Sequence, residues 1–114
     1  MSDLARKKCK PCEGGSAPLT EEEEQQYLNQ LTGWSLDKKK IHQLHKLYKF
    51  KNLSEAVKFV SEVASLAEDE GHHPDMYISY QYVTIALWTK KIGGLSENDF
   101  IMAAKIDTLA KAKR

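Results

Sequence analysis

The part of the chain that most constrains the fold lies between Pro74 and Trp88. Apolar side chains alternate on one phase over residues 76–80 and on the opposite phase over residues 83–87. A shift of one residue exchanges the two faces of a strand, so the slip requires a bulge or a tight turn. Because the segment is also longer than the usual strand of ~5–6 residues, it predicts a β-hairpin that turns near residues 80–82. No Asn-Gly or Asp-Gly pair marks this turn.

A pair of histidines stands at the corner before this hairpin. Gly71 reads as the residue just past a helix end, where a positive φ has little cost, and Pro74 biases His73 towards an extended backbone. His72 and His73 are therefore predicted to lie together on a short corner. Adjacent surface histidines can also be accidental. The folded hairpin is what gives this pair a pocket, because it brings back the residues that follow its second strand: Trp88, Thr89 and Lys90.

The rest of the chain supplies helices and strands in the order αββαββα. Thr20 with Glu23 forms a capping-box signature at the start of the first helix, and Asn52 and Ser96 occupy similar positions before the second and third. The patterns predict helices over residues 21–31, 53–70 and 96–111 and strands over residues 34–36 and 40–50 before the hairpin. Short antiparallel hairpins between helices indicate an α+β fold: a four-stranded antiparallel sheet with three helices packed on one face.

Residues 1–17 are basic and then rich in Gly and Ser, and they predict a flexible tail before a single α+β domain over residues 18–114. Cys9 and Cys12 form a C-x-x-C motif in this tail. A structural zinc site needs a second pair of ligands, and a redox motif is expected at the start of a helix that follows a strand. The two cysteines are therefore predicted to be reduced thiols, and metal binding shared with a partner chain remains an alternative.

The charge balance and the apolar runs exclude several classes of protein. Lys and Arg number 17 and Asp and Glu number 16, which gives a formal net charge of +1. This balance indicates no direct nucleic-acid partner and no membrane surface. No apolar run approaches the ~20 residues of a membrane span, and no apolar region follows the charged N-terminus as a signal peptide requires. The sequence predicts a cytoplasmic protein.

Several unrelated residue types fall at fixed separations around the histidine pair: Glu68-x3-His72-His73-Pro74-x5-Tyr80, then Thr89, Gly94-Leu95-Ser96 and Asp99. This spacing resembles the pterin-4a-carbinolamine dehydratase family. The likeness covers about residues 20–107 and includes the Gly33-Trp34 pair. The family usually has a third histidine directly after the threonine, and this chain has Lys90 in that place.

The resemblance implies a hydro-lyase that removes water from a 4a-hydroxytetrahydropterin to give quinonoid dihydropterin, without a metal or an added cofactor, as in the recycling of tetrahydrobiopterin. It implies catalysis by His72 and His73, with these further site residues: Pro74, Trp88, Thr89 and Lys90 for the substrate, and Glu68 and Asp99 in support. It also implies homodimers with a continuous sheet that pair into homotetramers through helices. The same fold is known as a non-catalytic dimerisation or assembly module, which is the alternative function.

The chemistry of the side chains agrees with an elimination. Free imidazole has a pKa of ~6.5, so at neutral pH one ring can donate a proton while another accepts one. A zinc site is disfavoured because adjacent histidines on an extended chain point apart and no third ligand has a recognised spacing. For three residues the sequence allows two interpretations of the role. Glu68 orients His72 or is a solvated helix residue; Asp99 caps the third helix and can also face the pocket; Trp88 belongs to the core or stacks on the pterin.

Overall fold

A computed structural model of the protein describes residues 4–10 and 17–111. Over these residues the helices and strands follow in the predicted order: α1 (Glu21–Leu28), β1 (Ser35–Asp37), β2 (Gln43–Lys49), α2 (Leu53–Glu70), β3 (Asp75–Ser79), β4 (Tyr82–Leu87) and α3 (Glu97–Lys111). Two 3₁₀ turns, Leu4–Arg6 and Lys90–Ile92, accompany them. α1 is shorter than predicted because its last turn tightens, with the N–H groups of Gln30 and Leu31 bonded three residues back.

The strands form an antiparallel sheet in the order β1-β2-β4-β3. The pair Ser79 and Tyr82 closes the β3–β4 hairpin, so Tyr80 and Gln81 make the turn. Tyr80 adopts a φ of 56°, which is uncommon for a residue other than glycine. The predicted hairpin and the position of its turn are confirmed.

The helices cover one face of this sheet. The inward side chains of the two central strands are buried, among them Leu44 and Tyr48 of β2 and Ile85 of β4. Phe59 of α2 packs on that face with its ring centroid 5.0 Å from the ring of Tyr48. On the opposite face Leu47 is 60 % exposed and Tyr77 is 63 % exposed. In the part of the chain that the structure describes, the fold is therefore α+β, with a four-stranded antiparallel sheet and three helices, as predicted.

Residues 4–10 lie against α3 instead of extending into solvent. Leu4 is 2 % exposed and belongs to the core, and Lys105 of α3 donates a hydrogen bond to the carbonyl oxygen of Ala5 at 2.9 Å. The prediction of a flexible tail over residues 1–17 does not hold for this segment, because the apolar side chain of Leu4 finds a buried place beside α3. Cys12 lies outside the described residues, so the predicted pair of thiols stays a prediction.

None of the helices within residues 4–10 and 17–111 is both long and apolar enough to cross a membrane.

Candidate active site

The C-terminal end of α2 places both histidines on the predicted corner. Gly71 has a left-handed φ of 67°, and its N–H and that of His72 both donate to the carbonyl oxygen of Ala67. A Cβ atom added at Gly71 would meet nothing within 4 Å, so the backbone conformation and not the space favours glycine here. β3 begins at Asp75, directly after Pro74. The corner forms as the sequence predicts.

His72 is bound to a buried carboxylate. Its Nε2 lies 2.6 Å from Oδ1 of Asp99, and their side chains are 11 % and 0 % exposed. The other oxygen of Asp99 accepts hydrogen bonds from the Thr89 hydroxyl at 2.8 Å and from the Ser96 N–H at 2.9 Å. A carboxylate oxygen can only accept, so Nε2 of His72 carries the proton and donates. This arrangement fixes the orientation of the ring and leaves Nδ1 for another partner.

Asp99 caps α3 as predicted, but it does not face the cleft, because its side chain is fully buried and does not line it. It closes the N-terminus of α3 through the Ser96 N–H, and it holds His72 from behind. Thr89 supports this carboxylate: the residue is 3 % exposed, and a backbone bridge to Gly94 fixes its position. The Thr89 hydroxyl donates its one proton to Asp99 and lies 2.8 Å from Oγ of Ser96, so it is oriented to support that carboxylate.

Glu68 binds the second histidine, not the first. Its Oε2 lies 2.7 Å from Nε2 of His73, and the two side chains are 76 % and 61 % exposed. The interpretation that Glu68 orients His72 is wrong, because its carboxylate is bonded to His73 instead, and its high exposure agrees with the alternative of a solvated helix residue. A surface pair of this kind contributes little to stability. His73 is thus oriented loosely and stays open to water, whereas His72 is held firmly.

Both histidines line one open cleft of about 670 Å³. Trp88, Thr89 and Lys90 line it with them, so five of the predicted site residues come together. Pro74 does not line this cleft, and its effect on the site is through the backbone of the corner. Sequence reasoning missed six further lining residues: Cys9, Lys10, Glu70, Gly71, Lys91 and Asn98. Two features of the sequence could have indicated Cys9 and Lys10: the apolar Leu4 near the start of the chain and the C-x-x-C motif that had no assigned function.

Comparison with known proteins gives the family of the chain. The family model described as pterin 4 alpha carbinolamine dehydratase matches residues 17–109. The chain belongs to this family. A relative from Nitrosospira multiformis, named "Putative pterin-4-alpha-carbinolamine dehydratase", is 49% identical over 109 residues, which are 96% of this chain and 94% of the relative. A relative of the same name from Azoarcus sp. is 44% identical over 110 residues, 96% of this chain and 93% of the relative.

Two solved structures are similar to this pterin-4a-carbinolamine dehydratase family member. The structure of a transcriptional coactivator/pterin dehydratase from Brucella melitensis has a TM-score of 0.77 and 33% sequence identity, and the match covers 82% of this chain and 98% of that one. A pterin dehydratase-like protein identified as a RuBisCO assembly factor in the alpha-carboxysome has a TM-score of 0.60 and 28% identity, with 68% and 89% covered. Proteins of this fold are thus described with different functions.

Lys90 is the position at which this family member departs from the family's histidine pattern. β4 ends at Leu87, and the bridge between Thr89 and Gly94 closes a loop after it, so Trp88 and Lys90 lie outside the strand. The side chains still face each other, with Nζ of Lys90 at 5.9 Å from the centroid of the Trp88 ring. The Lys90 side chain is 63 % exposed, and Nζ lies 4.0 Å from Oδ1 of Asp75. Its ammonium is therefore at the solvated rim of the cleft.

Cys9 is a free, partly buried thiol beside a carboxylate. Burial is the main factor that raises its pKa to about 12, and the negative charge of Glu70 adds to the effect. The same carboxylate accepts the backbone N–H of Cys9 at 2.8 Å. Within the described part of the chain, no group of three or more His, Cys, Asp or Glu residues is arranged to hold a metal ion.

We expect Cys9 to react with a thiol reagent about 10³-fold more slowly than free cysteine at pH 8. The thiolate is the reactive form, and its fraction falls by about that factor when the pKa rises from ~8.5 to about 12. The rate is measured on a Cys12→Ser variant, in which Cys9 is the remaining cysteine. Unfolding in urea should restore the rate of the free thiol, and a folded-state rate within tenfold of free cysteine would contradict this account.

Proposed function

We propose that the protein is a dehydratase that eliminates water from a 4a-hydroxytetrahydropterin and releases quinonoid dihydropterin, in the cytoplasm and in the service of pterin cofactor recycling. The observation that carries the proposal is the pair of histidines on one cleft, one held by a buried carboxylate and the other open to solvent. Family membership supports the same reaction. No metal or added cofactor enters the proposed mechanism.

The elimination needs an acid and a base. The C4a–O bond breaks, the hydroxyl takes a proton and leaves as water, and the neighbouring ring nitrogen loses its proton as the C=N double bond forms. His72 acts as the acid: its Nδ1, the nitrogen not bound to Asp99, gives a proton to the departing hydroxyl, and the Asp99 carboxylate balances the charge of the imidazolium before transfer. His73 accepts the proton from the ring nitrogen. Before the next turnover His73 releases its extra proton to water, and His72 takes up a proton from water in the open cleft.

The proposal is tested by following the absorbance of a 4a-hydroxytetrahydropterin as it loses water, with and without the protein. General acid–base catalysis typically contributes ~10²–10⁴-fold, so catalytic amounts of protein should shorten the lifetime of the intermediate clearly. Binding without acceleration would favour the second candidate function, a non-catalytic binding or assembly module. One observation favours that candidate: a similar structure is that of a pterin dehydratase-like RuBisCO assembly factor.

Lys90→His should raise the rate for one of the two 4a-hydroxy epimers. A lysine with an ordinary pKa of ~10.4 gives up its proton less readily than an imidazole at neutral pH, so we assign Lys90 to binding the pterin by charge and hydrogen bond. The wild-type protein is then expected to dehydrate the two epimers at unequal rates, and the new histidine should speed the slower one. Separate rates for the two epimers are measured by stopped flow. If the substitution lowers both rates alike, Lys90 is itself the acid.

We propose that the protein forms a symmetric oligomer, most simply a tetramer. The exposed Leu47 and Tyr77 on the open face of the sheet, and Leu53 and Val57 on α2, leave apolar surface that a partner copy would cover. The small residues of α3 do not add to this surface, because they are buried inside the subunit. Light scattering should give about four times the 13.0 kDa of one chain. A monomer at micromolar concentration would contradict the proposal.

A further inference from the structure

Residues 4–10 are held to the rest of the molecule by hydrogen bonds from side chains of α2 and α3. The amide of Asn98, a residue 7 % exposed, makes two hydrogen bonds to the backbone of Lys10: Oδ1 accepts from its N–H at 2.9 Å, and Nδ2 donates to its carbonyl at 2.6 Å. Glu70 accepts the N–H of Cys9 at 2.8 Å. Paired bonds from a buried amide fix a backbone more firmly than contacts at an exposed surface. The segment is therefore an ordered part of the fold.

This N-terminal segment forms one wall of the cleft that holds the histidines. Cys9 and Lys10 line the cleft together with His72 and His73. Leu4 anchors the start of the segment in the core, and Glu70 lies within 3.8 Å of Nζ of Lys105, which itself binds the carbonyl of Ala5. A ligand in the cleft therefore meets the N-terminal segment on one side and the histidine corner on the other.

The charged side chains around this cleft are mostly cationic. Among the described residues that line it, Lys10, Lys90 and Lys91 are basic and Glu70 is acidic. Glu70 is already occupied by the Cys9 N–H and by Lys105. The Asp99 carboxylate is negative as well, but it is fully buried behind His72 and does not line the cleft. Asp75 lies 4.0 Å from Nζ of Lys90, so Lys10 and Lys91 are the lining residues that give the rim its positive charge.

We infer that this rim selects pterins whose side chain ends in an anionic group, a phosphate ester or a carboxylate, and that Lys10 is the residue of the N-terminal segment that determines this preference. The inference rests on the proposed function. In a tetrahydropterin the side chain is attached to the carbon next to the reacting nitrogen. A substrate whose reacting atoms lie between the histidines therefore places its side chain in the same cleft, within reach of the lysines at the rim.

The test compares three stable 7,8-dihydropterins that differ in the end of the side chain: a neutral hydroxyl, a phosphate monoester and a carboxylate. Affinities are measured by calorimetry, without turnover. We expect the full-length protein to bind the phosphate ester about 3- to 10-fold more tightly than the neutral ligand at low salt, the effect of one or two charges at a partly solvated rim. The preference should shrink as the ionic strength rises. If the carboxylate ligand also binds more tightly than the neutral ligand, the preference is for anionic side chains in general.

Lys10→Glu should abolish the preference, and Lys8→Glu is the matched control. Both variants reverse one charge in the same segment, but Lys8 does not line the cleft. The affinity ratio of phosphate ester to neutral ligand should stay near the wild-type value in Lys8→Glu and fall to about one or below in Lys10→Glu. A wild-type ratio near one, or an equal fall in both variants, overturns the inference. If the protein is an active dehydratase but does not prefer the phosphate ester, the inference about the rim is wrong and the proposed function stands. If the protein prefers the phosphate ester but does not catalyse dehydration, the proposed reaction is wrong and the inference about ligand preference stands.

Discussion

His72→Ala is expected to lower kcat for dehydration by about 10²–10⁴-fold, the usual contribution of a general acid or base. The expected loss follows from the geometry: the ring is 11 % exposed and is held at 2.6 Å by a fully buried carboxylate. No other donor among the described residues is fixed in the same position. His73→Ala should cost less, because His73 is exposed and water can replace its function as a base. Both rates are measured with saturating 4a-hydroxytetrahydropterin.

His45→Ala is the matched control for this experiment. His45 is bonded to Gln43 on the second strand, outside the cleft, so its removal changes one histidine without touching the site. Asp99→Asn adds a test of positioning: it should lower kcat more than it raises KM, because the ring of His72 would lose its charged acceptor while the cleft keeps its shape. If His45→Ala reduces the rate as much as His72→Ala, the assignment of the acid is wrong.

Asp107→Ala is expected to destabilise the fold by about 3 kcal/mol, the lower end of the cost of removing one partner of a buried ion pair, because this pair is only partly buried. Asp107 of α3 accepts from the ammonium of Lys46 at 2.7 Å, from the hydroxyl of Tyr48 at 2.5 Å and from the indole N–H of Trp34 at 3.0 Å. The side chains of Lys46 and Asp107 are 16 % and 17 % exposed. Without the carboxylate, the partly buried ammonium of Lys46 and two donors on buried residues, Tyr48 and Trp34, would lose this acceptor.

Urea unfolding followed by circular dichroism measures this loss. Asp69→Ala, at an exposed position of α2, is the control, and a surface substitution of this kind should change the free energy of unfolding by less than about 0.5 kcal/mol. Asp107→Ala combined with Lys46→Met should cost less than the sum of the two single changes, because the double variant leaves no unpaired charge. A loss below about 1 kcal/mol for Asp107→Ala would show that the cluster does not hold α3 to the sheet.

The sequence predicted those features that local rules determine. The phase slip in the apolar alternation located the hairpin turn at Tyr80 and Gln81, and Gly71 located the end of α2 and so the histidine corner. The capping position of Asp99 was predictable because it depends on residues three positions apart. These signals involve neighbours in the chain, so they are visible without knowledge of the tertiary structure.

Other features depend on contacts between distant residues and could not be predicted. Cys9 binds Glu70 across 61 positions of sequence, and Lys105 binds Ala5 across 100. A basic segment rich in Gly and Ser gives no periodic signal for such contacts, so the wall of the cleft was assigned to a flexible tail. The role of Glu68 stayed open between two interpretations for a similar reason. The choice between His72 and His73 depends on Asp99, which α3 brings to the corner.

The most direct test of the central claim is the dehydration rate of the double variant His72→Ala/His73→Ala, measured beside the wild-type protein. The account predicts that the wild type accelerates loss of water from a 4a-hydroxytetrahydropterin catalytically. It predicts that the double variant returns the rate close to that of the uncatalysed reaction while keeping the wild-type circular dichroism spectrum. Full activity in the double variant would contradict it, because the cleft would then perform the elimination without either histidine.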